Sequence, residues 1–329
     1  MRAEAGRATA APLAVLAALV LALFLGRYPA PGLLDPSLLW SDPLAAKVFF
    51  SLRVPRVLAA LLLGMSLGGA GNAFQLIFGN PLVEPGFLGV SQGAAFGAAL
   101  AMTAGLAGGF GVPALAFACA CAFLGLSIFL AGRFKFGGQV LRLVLAGIAV
   151  SALGSASLSM LKYLADPIRQ LPDITFWSMG GLSAVGWPEL LTSLPVALAG
   201  LAALFLLRWR ITILSLDDAT ADSLGSRPRR DRLVVLAVAV AAVAAMTALS
   251  GVTAWTGLIV PHMARRLAGA DGRASMPASM LLGGAFVLVC DTFARLALPG
   301  ELPLGIVTSL AGAALFCAIL LSRTLQVAR

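Results

Sequence analysis

Charged side chains are scarce in this chain of 329 residues: Asp, Glu, Lys and Arg make up only 11%, against roughly a quarter of an ordinary soluble domain. Hydrophobic residues make up 60%, or about 197 residues, which is more apolar surface than a soluble domain can bury. At roughly 20 residues per membrane-spanning helix, that number allows about ten spans. The composition therefore excludes a soluble protein. It predicts an all-α, polytopic membrane protein, with residues 1–329 forming a single transmembrane domain.

Lysine, histidine and cysteine are rarer still, and each shortage excludes a kind of site. None of the three lysines follows a glycine, so the chain has no Walker A loop, and any energy from ATP has to come from a partner. The four cysteines lie in apolar stretches without C-x-x-C spacing, which argues against a zinc site or a disulfide framework. With a single histidine, His262, the sequence predicts neither a metal site nor a cofactor of its own.

Apolar runs divided by proline, glycine and charge clusters predict the spans. The first run, from Ala10 to Leu25, has no small-x-small cleavage site behind it, which favours an uncleaved helix over a signal peptide. A stretch from Thr175 to Leu182 is too short to span and predicts a short helix at the outer surface. Ten helices are expected near residues 11–26, 54–77, 87–104, 113–132, 143–163, 187–207, 233–250, 255–268, 278–298 and 303–321.

The basic residues decide the orientation and support the doubtful eighth span. A formal net charge of +9 would suggest a nucleic-acid partner in a soluble protein, but in a membrane protein it reports the cytoplasmic side, and no nucleic-acid partner is expected. Ten spans with both termini in the cytoplasm place 16 Lys and Arg inside and 7 outside. Removing the span at 255–268 changes this to 12 and 11. The charge asymmetry therefore favours ten spans.

Many of the 36 glycines lie within the predicted spans, including a cluster at Gly64, Gly68, Gly69 and Gly71 and the pair Gly283 and Gly284. Small residues let helix backbones approach closely in lipid, where no hydrophobic effect drives helix pairing. We expect the cluster to face another helix; flexing of these helices during gating is the alternative.

The longest polar segment, residues 208–232, predicts a short helix outside the membrane. Asp217 or Ser215 can cap it, and Gly225 can end it. Three interpretations stay open for this segment. It can be a simple connector, a docking helix for a cytoplasmic motor protein, or a magnesium site in which Asp217, Asp218 and Asp222 hold a diphosphate, as in intramembrane prenyl transferases. A third kind of protein, an ion-coupled secondary transporter, needs an ionisable residue at mid-membrane, for which Asp291 is the one clear candidate.

Five ordered motifs resemble the FecCD-type permeases, a family of ABC importer subunits for iron-siderophores, haem and vitamin B12. They cover most of the chain. They are Arg53-Val54-Pro55-Arg56, the segment Asn80-Pro81-Leu82-Val83-Glu84-Pro85-Gly86-Phe87-Leu88-Gly89-Val90-Ser91, Phe176-Trp177-Ser178-Met179-Gly180-Gly181, Gly257-Leu258-Ile259-Val260-Pro261-His262 and Glu301-Leu302-Pro303-Leu304-Gly305.

This resemblance implies a type II importer permease that works as a homodimer in the bacterial-type plasma (inner) membrane. Two cytoplasmic ABC ATPase subunits would bind ATP and magnesium, and a periplasmic or lipid-anchored binding protein would dock outside. The cargo would be a metal chelate, with an iron-siderophore favoured over haem or cobalamin. The chain itself would have no catalytic residues.

The resemblance also implies three groups of functional residues. Arg53, Arg56 and Arg295 match positions that meet acids of the binding protein, with contact to lipid headgroups as the alternative. A cytoplasmic gate is implied at Asn80, Pro81 and Leu82, with a second element at Val140 and Leu141, where this chain is apolar and the best-studied relative has hydroxyl residues. Coupling to the ATPase is implied for Leu216, Asp217, Asp218, Ala219, Ala221, Asp222, Leu224 and Gly225.

Overall fold

The computed structural model describes residues 2–106, 108–298 and 300–321. Within these ranges the chain is almost wholly helical, which confirms the all-α class. The strands described are one short antiparallel pair, Leu25–Gly26 with Gly32–Leu33. The helices are α1 (Arg2–Phe24), α2 (Leu38–Ser41), α3 (Pro43–Val48), α4 (Val54–Phe78), α5 (Val90–Thr103), α6 (Gly111–Arg133), α7 (Gln139–Leu164), α8 (Gln170–Ser178), α9 (Trp187–Leu214), α10 (Asp218–Ser223), α11 (Pro228–Ser250), α12 (Thr256–Ala268), α13 (Gly272–Leu296) and α14 (Leu304–Leu321).

Seven helical segments in the described ranges are long and apolar enough to cross a membrane. One of them runs without a break from Pro43 to Phe78, because a π-helical turn at Phe49–Arg53 joins α3 to α4. The other six are α6, α7, α9, α11, α13 and α14. Three predicted spans correspond to shorter helices: the apolar stretch Val15–Phe24 within α1, and the helices α5 and α12.

The core of the bundle surrounds α4, which packs against α9, α11, α12 and α13. The predicted glycine contacts lie at its crossing with α13. A methyl group on Gly64 would overlap the carbonyl oxygen of Gly283, and one on Gly283 would overlap the carbonyl of Gly64. Gly68 meets the carbonyl of Ser279 in the same way. The prediction that the glycine cluster faces another helix is therefore confirmed, and close backbone packing is what these residues permit.

The short helix α12 contains a proline, and its neighbours compensate for it. Pro261 has no backbone N–H for the carbonyl of Gly257, four residues earlier. Gln75 of α4 supplies a donor, with its Nε2 atom 3.0 Å from the carbonyl of Leu258 and 3.5 Å from that of Gly257. This contact holds α12 against α4. Hydropathy alone would not have predicted a membrane span at this position.

Several helix boundaries differ from those predicted, among them the end of α9 and the position of α8. α9 continues to Leu214 rather than ending at residue 207, because the guanidinium of Arg208 stacks 3.9 Å from the centre of the Phe205 ring and donates to the Phe205 carbonyl. Stacking on an aromatic ring lets a charged residue continue a helix beyond its apolar part. The short helix α8 begins at Gln170 and ends at Ser178, earlier than the predicted stretch from Thr175 to Leu182.

Candidate functional site

At the end of the bundle where α4 begins and α13 ends, two arginines pair with one buried carboxylate, and a third, Arg53, lies near them. Arg56 donates from Nε and Nη2 to Asp291 Oδ1 at 3.0 and 2.9 Å. Arg295, one turn along α13 from Asp291, places its Nε 3.1 Å from Asp291 Oδ2. The four-residue spacing of Asp291 and Arg295 places the two side chains on one face of α13, and they pair there. Asp291 is fully committed to ion pairs, as is typical of the rare acids within membrane helices.

A second acid, Glu301, completes this cluster from the turn before α14. Nη1 of Arg56 donates to both of its oxygens at 2.8 Å. The Glu301 side chain is 40% exposed, whereas that of Asp291 is 1% exposed. Sequence reasoning named Glu301 only as a member of the fifth motif and missed its pairing with Arg56. The signal for its role was its position in the fifth motif, which the predicted topology places on the same side of the membrane as the first.

The remaining arginine contacts tie the N-terminal helix to the bundle. Arg53 donates from Nη2 to the Tyr28 carbonyl at 2.9 Å, and its Nη1 lies within hydrogen-bond reach of the carbonyls that end α1. Arg295 donates to the carbonyl of Ala22 in α1 at 2.9 Å. Carbonyls at a helix C-terminus carry partial negative charge, so arginine is a favourable partner for them.

The structure thus brings Arg53, Arg56 and Arg295 together, but it does not leave them free at the surface. They are 6%, 9% and 7% exposed, and each has partners within the chain. Their contact with acids of a binding protein, or with lipid headgroups, stays a prediction, and in the single chain their charges already have internal partners. Burial requires a paired charge, and that requirement accounts for the internal carboxylates and carbonyls.

The polar segment at residues 208–232 contains the predicted short helix, α10. Asp217 is its N-cap and accepts hydrogen bonds from the backbone N–H of Thr220 at 2.9 Å and from the Thr220 hydroxyl at 2.6 Å. These bonds lower the pKa of the Asp217 carboxyl. Gly225 follows the helix with a φ of +80°, a conformation that glycine adopts readily and L side chains rarely do. Of the two caps considered, the structure selects Asp217.

Two contacts hold α10 against the ends of the long helices. Asp218 pairs with Nη2 of Arg232 in α11 at 2.6 Å, and Ala221 is fully buried. Leu216 and Leu224 flank the helix with exposed apolar side chains, 44% and 57% exposed. Ala219 and Asp222 are also exposed. Sequence reasoning missed the Arg232 contact, since a basic run after a helix gives no indication which of its members turns inward.

Two of the three acids considered as a magnesium site in this segment are occupied by these structural contacts. Asp217 caps the helix, and Asp218 pairs with an arginine. Across the described ranges, His, Cys, Asp and Glu side chains do not form a group of three or more that could hold a metal ion. A diphosphate-binding magnesium site therefore finds no support in the geometry of these residues.

The expected gate residues lie at the ends of α4 and α7. Asn80 Oδ1 accepts from the Leu82 N–H at 2.9 Å and fixes the turn after α4. Leu82 and Leu141 are exposed, whereas Val140 packs partly against the core. The short 3₁₀ helix Pro85–Leu88, which follows this turn, packs against α7. The close contacts join Leu88 and Gly89 to Gly147 and Val150 of α7, further along the helix than Val140 and Leu141.

This architecture is that of a multi-pass, helical membrane protein. Buried ion pairs lie at one end of its bundle, and the short helix α10 connects α9 to α11. The sequence matches the FecCD transport family over residues 13–322, and the chain belongs to that family. It is 36% identical over 315 residues to the molybdate import system permease protein MolB of Haemophilus influenzae, covering 90% of each chain. It is 36% identical over 291 residues to the hemin transport system permease protein HmuU of Yersinia pestis, covering 85% of this chain and 84% of that one.

The fold is similar to that of a solved ABC transporter described as metal-chelate type and captured in an inward-facing conformation. The TM-score is 0.88 at 35% sequence identity, over 95% of this chain and 98% of the other. The similarity extends through nearly all the helices, so the permease architecture predicted from the sequence motifs is confirmed.

Proposed function

We propose that this chain is the permease subunit of an ABC importer that moves a metal chelate across the bacterial-type inner membrane. The observation that carries this proposal is the similarity of nearly the whole chain to an inward-facing transporter of metal-chelate type, together with membership of the FecCD transport family. An iron-siderophore is the favoured cargo, with haem or cobalamin as alternatives. Molybdate joins them, because one relative is a molybdate import permease.

The proposed topology has ten spans with both termini in the cytoplasm. Seven helices reach the necessary length, and the three shorter ones pack among them, with α12 lying against both α4 and α13. A helix enclosed by other helices can be shorter or more polar than one facing lipid, since the surrounding protein satisfies its backbone groups. The distribution of 16 basic residues inside and 7 outside supports the same arrangement.

In the assembled transporter, two permease chains would form a homodimer, and two ABC ATPase subunits would sit on the cytoplasmic side, supplying the ATP and magnesium site. The helix α10 would seat in the ATPase. Its cap at Asp217 and its ion pair with Arg232 make it rigid, while Leu216 and Leu224 offer exposed apolar contacts. A rigid helix can transmit ATPase closure as a rigid-body movement to α9 and α11.

On the outer side, a binding protein would dock over the arginine cluster. Glu301 is the most exposed member of the ion pairs, and it occupies Nη1 of Arg56. An acid of the binding protein would therefore have to displace Glu301 to reach Arg56. Charge pairs between the two proteins mainly orient docking and set its rate, rather than supplying its whole affinity.

The cytoplasmic gate would be an apolar constriction. Leu82 and Leu141 are exposed in the single subunit, and in a homodimer they would meet their copies or each other around the pathway. An apolar constriction closes a pathway by excluding water, which does not require the hydroxyl residues of other members of the family.

Reconstitution tests the proposal. The permease, its genomic ATPase partner and the matching binding protein are placed in liposomes, and uptake of radiolabelled ferric siderophore, haem, cobalamin and molybdate is measured with and without ATP. We expect ATP-dependent uptake of one of these cargoes and no ATP hydrolysis by the permease alone. ATP hydrolysis by the isolated permease, prenyl transfer, or uptake driven by an ion gradient without the ATPase would each overturn it.

A further inference from the structure

A cavity of about 600 Å³ lies between the ends of α9 and α11, beside residues 216–225, here called the coupling segment. Its polar side is formed by Arg210 of α9 and by Arg227 and Arg230 at the start of α11. All three arginines are exposed. Leu224 and Gly225, which end the α10 region, form another part of the lining. The cavity therefore touches both a pair of long helices and the helix proposed to contact the ATPase.

One acid, Asp231, also lines the cavity, but its oxygens already have partners. Oδ2 accepts from the Ser226 hydroxyl at 2.7 Å and from the backbone N–H of Arg227 at 3.1 Å. Oδ1 lies 3.5 Å from Nη1 of Arg210. In the part of the chain that the structure describes, no carboxylate pairs with the side chain of Arg227 or Arg230. Three arginines facing one acid leave the cavity with an excess charge of +2.

The wall on the other side is apolar and belongs to the long helices. Trp209, Ile213 and Val234 form it, and Trp209 and Val234 are 55% and 44% exposed. The guanidinium of Arg273 lies 4.9 Å from the centre of the Trp209 ring, which holds the indole in place and adds a further positive charge. A partly exposed tryptophan at the end of a membrane-spanning helix is typical of the headgroup level of a membrane.

We propose that this cavity binds the headgroup of an anionic phospholipid in the cytoplasmic leaflet. The phosphate lies among Arg210, Arg227 and Arg230, and the glycerol and the upper acyl chains lie against Trp209 and Val234. This inference rests on the membrane orientation given under the proposed function. Because Leu224 and Gly225 share the cavity, the bound lipid also contacts the end of the coupling segment.

Two other ligands fit the cavity less well. Free phosphate satisfies the arginines but leaves the apolar wall uncovered. An ATPase surface can reach the arginines, but the wall lies on α9 and α11, two helices long and apolar enough to cross the membrane. Basic residues next to a membrane helix together with an interfacial aromatic residue match the chemistry of an anionic lipid.

Quenching of Trp209 fluorescence tests the proposal on the full-length permease alone. The protein is reconstituted in phosphatidylcholine vesicles that contain brominated phosphatidylglycerol or the same fraction of brominated phosphatidylcholine. The difference between wild type and Trp209→Phe isolates the Trp209 signal. We expect Trp209 to be quenched preferentially by phosphatidylglycerol, with apparent affinity falling about fivefold for each of Arg227→Gln and Arg230→Gln.

Matched variants identify the site and separate the ligands. Arg229→Gln removes a charge from the same basic run without touching the cavity and should leave the preference unchanged, whereas Arg227→Lys should retain most of it. The proposal is overturned if Arg229→Gln has the same effect as Arg227→Gln, or if inorganic phosphate abolishes the preference. It is also overturned if Arg227→Gln keeps the lipid preference but loses co-purification of the ATPase. Since no transport is measured, a failure here is distinct from a failure of the importer assignment.

Discussion

Nη1 of Arg56 donates to both carboxylate oxygens of Glu301 at 2.8 Å, and this ion pair joins the start of α4 to the turn before α14. The same guanidinium donates from its other two nitrogens to Asp291, a carboxylate almost without solvent exposure. One arginine therefore connects a buried acid to a partly exposed one. The two acids should respond very differently to substitution.

Removing the charge of Asp291 should destabilise the protein far more than removing that of Glu301. Asp291→Asn leaves Arg56 and Arg295 as buried cations without their shared anion, which costs about 3–5 kcal/mol. Glu301→Gln breaks a pair that water partly screens, and the expected cost is about 0–1 kcal/mol. Thermal denaturation of the purified variants in detergent measures both losses of stability. Equal losses for the two variants would contradict the different burial of the two acids.

Glu301→Gln should also speed the association of the binding protein. The neutral amide competes less well for Nη1 of Arg56, so an acid of the incoming partner meets a freer guanidinium. Stopped-flow or surface plasmon resonance at low salt should show a higher association rate constant, and the difference from wild type should shrink as salt screens the charges. Asp35→Asn serves as a control, since Asp35 is an exposed acid whose oxygen accepts from the nearby Ser37 N–H. An unchanged rate for Glu301→Gln would remove Arg56 from the docking contact.

The helices of this fold were predictable from the sequence because their apolar runs are long and end at proline, glycine or charged residues. The capped helix α10 was predictable for a similar reason, since an aspartate cap and a closing glycine are local signals. Arg56 and Glu301 are separated by 245 positions, and no local pattern reports that they meet. Their motifs could be recognised one by one, but the internal pairing that buries the arginines depends on how α4, α13 and α14 pack together.

Substitution at the crossing of α4 and α13 should be severely destabilising. Gly64→Val places a branched side chain where a single methyl group already overlaps the Gly283 carbonyl, so the two helices must separate. Overpacking of a well-packed core costs about 1–3 kcal/mol, and a clash with backbone reaches at least the upper end of that range. Yield of monodisperse protein and thermal unfolding in detergent measure the loss.

Gly125→Val is the matched control for this prediction. Gly125 lies in the spanning helix α6, and a methyl group there would meet nothing within 4 Å. The same loss of backbone freedom is therefore tested without the clash. If Gly125→Val destabilises as strongly as Gly64→Val, the effect comes from altered helix propensity or insertion, and the close backbone contact is not responsible.

Loss of the cap at Asp217 should uncouple ATP hydrolysis from transport. Asp217→Ala removes the acceptor for the Thr220 N–H and hydroxyl, so the short helix α10 frays at the end nearest α9. A frayed helix cannot transmit movement as a rigid body. The cap's bonds to Thr220 lower the pKa of Asp217, so the stability that the ionised cap contributes is complete above the usual pKa of aspartate and is lost only as the pH falls through the lowered value.

Asp217→Asn distinguishes the cap from the charge, because asparagine caps a helix about as well as aspartate but carries no charge. In proteoliposomes containing the ATPase and the binding protein, we expect Asp217→Ala to hydrolyse several-fold more ATP per transported molecule than wild type. Asp217→Asn should stay close to the wild-type ratio. If both variants uncouple equally, the ATPase recognises the carboxylate itself; if neither does, the rigidity of α10 does not contribute to coupling.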